Sequence, residues 1–119
     1  MSLHYIDWER EGVLVLNLTG KLVLGDGTRM FRQLIQDALA IGKKDIILNL
    51  GEVVHIDSSG LGELVNSHST VKRQGGRLKL VKLTPRAHEL VNLTKLHTVF
   101  EIYDTEDSAL LTFRPAALP

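Results

Sequence analysis

The sequence predicts an α/β fold, a mixed β-sheet entered through an N-terminal antiparallel hairpin and carrying about four α-helices. Two dense apolar, β-branched stretches flank Glu11-Gly12. Beyond them, segments of helical spacing alternate with short apolar runs in the order helix, strand, helix, strand, helix, strand, helix. The run Asp45 to Leu50 is apolar on both faces, as a strand at the centre of a sheet must be. The later strands are therefore expected to run parallel, joined by right-handed crossovers.

Leu3 to Trp8 and Val13 to Leu18 form the expected hairpin, with Glu11-Gly12 as its turn. Gly25-Asp26-Gly27 breaks the strand pattern. Met30, Phe31, Leu34, Ile35, Ala38 and Leu39 then recur at helical spacing as far as Gly42, a suitable C-terminal stop. In the next strand Ile46, Leu48 and Leu50 share one face and Ile47 the other, so only Asn49 is expected to be wet. Leu61, Leu64, Val65, His68 and Val71 make the stripe of a second helix that ends near Gly75-Gly76. Glu63, Asn66, Ser67, Thr70 and Lys72 fall on its other face, read as polar. Leu78, Leu80 and Leu83 with Lys79 and Lys82 give an alternating strand. Thr84-Pro85 supplies an N-cap and a first-turn proline for a third helix over Pro85 to Leu93. Val99 to Tyr103 is a short strand, and Asp104-Thr105-Glu106-Asp107 places acids at the start of a last helix through Ala109, Leu110 and Leu111. The tail from Arg114 is expected to fray.

At 119 residues the chain has room for one core, and a single domain over 1–119 is expected. The hydrophobic share of 44% and charged share of 24% are those of a folded soluble protein. Fourteen basic residues balance fourteen acidic ones, so no global field draws the chain to nucleic acid or anionic membrane. The absence of cysteine excludes disulfides, thiol catalysis and thiolate metal sites. Met1 to Arg10 is charged and carries no signal-like apolar core, and no apolar run approaches the roughly 20 residues of a membrane span. Cytoplasmic residence is the expectation. Balanced charge and the lack of a heptad seam point to a monomer.

The run His55-Ile56-Asp57-Ser58-Ser59-Gly60-Leu61-Gly62 carries the functional signal. It falls between a buried strand and an amphipathic helix, at the sheet edge where α/β proteins dock ligands and partners. Two readings fit the residues. Ser58 or Ser59 caps the helix, Asp57 complements its positive end and the glycines relieve packing; or a serine hydroxyl at the helix mouth carries a phosphate that a partner reads. Gly60 and Gly62 each cost a helix about 1 kcal/mol relative to alanine, which a close backbone approach would offset.

The whole string resembles the STAS domain of bacterial anti-sigma factor antagonists. Asp57-Ser58-Ser59-Gly60-Leu61-Gly62 matches that family's central motif. Leu18-Thr19-Gly20-Lys21-Leu22, Ile47-Leu48-Asn49-Leu50, Gly75-Gly76 and Thr84-Pro85 extend the likeness over nearly the whole chain. The resemblance implies a STAS-like mixed sheet and a non-enzymatic domain that sequesters a kinase-type anti-sigma factor, releasing a sigma factor. It implies phosphorylation of Ser58 by that anti-sigma factor serine kinase and reversal by a PP2C-like phosphatase. Asp57, Ser59, Gly60, Leu61 and Gly62 would form the surrounding contact surface. Where other members carry an acid soon after the Gly-x-Leu element, this chain has Val23 and Leu24 before Gly25-Asp26-Gly27. Asp26 either substitutes in partner binding or builds a turn. The alternative function is a constitutive STAS interaction module, a stress-signalling scaffold or a cytoplasmic accessory to a transporter.

Other chemistry finds little support. No Gly-x-Ser-x-Gly elbow surrounds the serines, and Gly25-Asp26-Gly27 lacks both the dinucleotide fingerprint and the phosphate-binding loop ending. No cofactor is expected. His4, His55, His68, His88 and His97 are scattered without ligand spacing, which argues against a metal, although His55 lies close enough to Asp57 to sense a phosphate. Trp8 and Tyr5 read as core or edge packing, or as a docking surface. Lys72, Arg73, Arg77 and Lys79 read as a solvated face at the end of the second helix.

Overall fold

In the computed structural model, which describes residues 3–115, the strands are β1 (Leu3–Arg10), β2 (Val13–Leu22), β3 (Asp45–Ile56), β4 (Arg77–Val81) and β5 (Glu101–Tyr103). The helices are α1 (Asp26–Ala40), α2 (Ser58–Arg73), α3 (Pro85–Leu93) and α4 (Glu106–Leu111). One sheet has the order β1-β2-β3-β4-β5, antiparallel at β1–β2 and parallel elsewhere. The hairpin turns on Glu11 (φ 51°) and Gly12 (φ 81°), the pair of positive φ values that suits a two-residue connection between twisted strands.

The two sheet faces bury different residues. Leu14, Leu16 and Leu18 of β2, with Ile46, Leu48 and Leu80, meet Phe31 and Ile35 of α1, Leu61, Leu64 and Val71 of α2, and Val91 of α3. On the opposite face Val13, Val15, Ile47 and Val81 meet Ala109, Leu110 and Phe113. Full burial of one such side chain contributes about 1.5–3 kcal/mol. The short α4 covers only part of its face.

Several elements depart from the sequence reading. β2 and β3 run past their expected ends to Leu22 and Ile56, because register shifts at Asn17/Thr19 and Gly20/Lys21 let their pairing continue. This extension carries both strands up to the Asp57 turn. Asn49, expected to be wet, is buried, and its Oδ1 accepts from the Gly51 N–H at 3.0 Å. Helix α1 starts at Asp26, earlier than its apolar stripe, since Gly27 lies in the helix where a Cβ would come within 2.4 Å of the Lys21 carbonyl oxygen. Val99 is outside β5, which follows a 3-10 turn at Leu96–Thr98. Arg114, expected at the start of a frayed tail, pairs with both carboxylate oxygens of Glu11 at 3.0 and 2.9 Å. Residues 116–119 of that expectation lie outside the described residues.

Two of the four residues read as a solvated basic face are engaged. Arg77 pairs with Asp45 and lies over the Phe113 ring. Lys79 is buried beneath α4, its Nζ donating to Thr112 Oγ1 at 2.8 Å, with Glu101 at 3.4 Å and the Phe113 ring at 4.6 Å. The alternating face that should have been wet is covered by α4, the last helix of the chain's described residues. Lys79→Met retains the aliphatic stem while Glu101 is free to turn to solvent, so unfolding stability should change little. Lys79→Ala should cost about 2 kcal/mol through lost packing, measured by urea denaturation.

Trp8 packs at the sheet edge, its Nε1 donating to Glu106 at 3.1 Å. His68 stacks edge-on against Phe100 with ring centroids 5.7 Å apart, and burial holds its pKa below the ordinary histidine value. No helix among the described residues is long and apolar enough to cross a membrane.

Candidate functional site

The Asp57 turn joins the C-terminal end of β3 to the first turn of α2. Asp57 is extended (φ −111°, ψ −176°) and is the N-cap: its Oδ1 accepts from the Gly60 N–H at 2.8 Å. Neither serine caps the helix. The second carboxylate oxygen reaches across to the β2–α1 connection, where Oδ2 accepts from the Leu24 N–H at 3.0 Å. One side chain therefore fixes the start of α2 and the segment before α1 relative to each other.

Gly60 and Gly62, equivalent in sequence, have different roles. A Cβ at Gly60 would lie 2.0 Å from the carbonyl oxygen of Leu22, so helix α2 crosses β2 at a distance that only glycine permits. A Cβ at Gly62 would meet nothing within 4 Å. Its glycine relieves no contact and leaves that face of α2 bare toward solvent.

Ser58 is exposed and Ser59 half-buried, side by side on that first turn. Ser59 borders a recess between α1 and α2 with Leu24, Thr28, Arg32, Gly62 and Glu63. Leu61 turns into the core and presents no side chain to a partner. Asp26 is exposed in the first turn of α1 and pairs with Arg29. It thus sits beside the Asp57 corner in the chain's own Leu24–Asp26 segment, not in the motif itself. His55 is exposed, and its strand position pairs with Lys21.

Three residues of this corner escaped the sequence reading. Glu63, placed on a polar helix face, is buried at 4% exposure and accepts from Arg32 Nε at 2.8 Å, because α1 packs against that face. Helical periodicity identifies one apolar stripe and cannot say that a second helix lies along the other. Ser67, on the same face, is buried for the same reason. Leu24 is 75% exposed, an apolar side chain held outward while its backbone is tied to Asp57. The following Gly25, at a positive φ of 110°, turns the chain into α1.

The N–H of Gly60 first, and then that of Leu24, hold the Asp57 carboxyl below the ordinary aspartate range. A carboxyl whose pKa is lowered on folding stabilises the fold at pH values above its unfolded pKa, about 3.9. That contribution is lost as pH falls through the folded value. The stability difference between wild type and Asp57→Ala should therefore be about 1–2 kcal/mol near neutrality and shrink in acid, read by urea denaturation at a series of pH values.

The STAS domain family model matches residues 7–109. The chain is 30% identical over 111 residues to an anti-sigma F factor antagonist from Paenibacillus polymyxa, covering 92% of this chain and 94% of that protein. It is 31% identical over 94 residues to the anti-sigma-B factor antagonist of Bacillus subtilis, covering 79% and 84%. A crystal structure of a candidate anti-sigma factor antagonist from Thermotoga maritima superposes with a TM-score of 0.87 at 28% identity, covering 93% and 95%.

Proposed function

The chain belongs to the STAS domain family, among the anti-sigma factor antagonists, and we propose that it sequesters a kinase-type anti-sigma factor through the Asp57–Gly62 corner and is switched at Ser58. The observation that carries this reading is the division of labour at the helix start. Asp57 supplies the cap, so Ser58 is exposed with its hydroxyl outside the cap and can be modified without uncapping α2.

Phosphorylation adds about −1.5 to −2 charges beside the Asp57 carboxylate. The positive end of α2 accommodates that charge within the domain, so the fold needs no rearrangement. A partner packed over the bare Gly62 and the outward Leu24 has no such compensation: it meets repulsion from Asp57 and the desolvation of a phosphate. Ser59, Asp26 and Leu24 complete the contact surface in this reading. Leu61 contributes from below by fixing the helix. A partner serine kinase and a PP2C-like phosphatase would complete a cytoplasmic cycle in which the domain binds and is acted upon, without catalysing a reaction itself.

The test is a pull-down from native lysate with wild type, Ser58→Ala and Ser58→Asp, each checked for folding by circular dichroism. Wild type and Ser58→Ala should retain an ATP-binding anti-sigma factor that Ser58→Asp loses. Retention of one scaffold or transporter component by all three would instead assign a constitutive module.

A further inference from the structure

Strand β1 ends the sheet, so its outer edge is unpaired among the described residues. Its register places Tyr5, Asp7 and Glu9 on the helix side, opposite Leu18, Leu16 and Leu14. Between these residues and the second half of α1 runs an open groove of about 540 Å³, floored by Leu14 and Leu16 and walled by Leu34 and Ala38. It lies at the N-terminal half of β2, whereas the Asp57 corner lies against Leu22 at the other end. Apolar surface is open along it: Tyr5 is 42% and Ile41 72% exposed.

The rim is acidic. Asp7, Glu9 and Asp37 line the groove with one cation, Lys43, which pairs with Glu9. Among the described residues Asp37 has only the neutral Gln33 amide as its donor. We propose that this edge receives an extended basic-apolar segment of a partner protein, added as a strand to β1. Backbone hydrogen bonds along β1 would supply affinity, and alternate side chains would supply specificity. Apolar residues would face Tyr5, Leu34 and Ile41, and Lys or Arg would face Asp7 and Asp37.

Charge rejects a second copy of this chain as the occupant. Two β1 strands paired antiparallel would collect four carboxylates, Asp7 and Glu9 from each, on one sheet face beside both Asp37 side chains. The surface is also remote from Ser58, so a partner held here stays bound whichever state the switch occupies. This inference stands on the β1 edge alone and does not depend on the antagonist reading.

The test is an amide NMR titration with acetyl-Gly-Lys-Thr-Lys-Val-Val-Thr-Gly-amide and a twin carrying Glu at both Lys positions. The Lys peptide should shift amides of β1 and the second half of α1. Affinity should fall roughly fivefold to tenfold for the Glu twin and for the Asp7→Asn/Asp37→Asn protein. Ser58→Asp should leave it unchanged. Equal binding of both peptides, shifts at β5 instead, or no shift at about 1 mM peptide would overturn the proposal. So would dimerisation of the free protein through β1.

Discussion

Gly60→Ala should destabilise the fold by more than about 3 kcal/mol, while Gly62→Ala should leave it unchanged or stabilise it by up to about 1 kcal/mol. Both add one methyl near the start of α2. At Gly60 that methyl would lie 2.0 Å from the Leu22 carbonyl oxygen, a backbone atom that cannot swing aside as a side chain would. Relief requires α2 to lift from β2, which opens the packing of Leu61 and Leu64 against the sheet. At Gly62 the methyl enters open space and helix propensity is the only local term. Urea denaturation of the two variants separates these outcomes. Equal destabilisation by both would mean that α2 does not cross β2 at the close distance described. Because Gly62 faces the proposed partner, Gly62→Ala should weaken capture of the anti-sigma factor even as it stabilises the domain.

Ser58→Asp should weaken anti-sigma factor binding by about a hundredfold relative to Ser58→Ala, equivalent to about 3 kcal/mol. The added carboxylate stands next to Asp57, whose lowered pKa keeps it ionised well into acid, so the interface would have to desolvate two adjacent negative charges. The loss should be measured by titration calorimetry with the partner recovered from the pull-down. An electrostatic cause predicts that raising the salt concentration narrows the gap between the two variants. Their unfolding midpoints should stay close, since the new charge sits at the positive end of α2. A large drop in stability for Ser58→Asp would attribute lost binding to damage of the fold rather than to the interface.

Most of the architecture was legible in the sequence because it rests on local signals. The hairpin turn, the Thr84-Pro85 start of α3, the acids before α4 and the helical stripe after the Asp57 motif each depend on residues within a few positions of one another. The motif likewise marked the corner between β3 and α2 that the proposed function uses. Which serine is free and which residue caps were not legible, since Asp57, Ser58 and Ser59 are all capable N-caps. The choice of Asp57 is made by a second acceptor role toward Leu24, thirty-three residues earlier.

By itself the sequence determined the element order, the central β3, the family likeness and the turn proposed as the switch, all properties of neighbouring residues and their spacing. Tertiary structure alone decided which apparently polar faces were covered. Glu63 and Ser67 are buried by α1, and Lys79 by α4. It also distinguished two glycines of identical local context, one under a backbone carbonyl and one in open solvent. The physical reason is common to these cases. Periodicity reports how a segment partitions its own faces, whereas burial, close approach and a shared carboxylate depend on a neighbour that the local sequence does not contain.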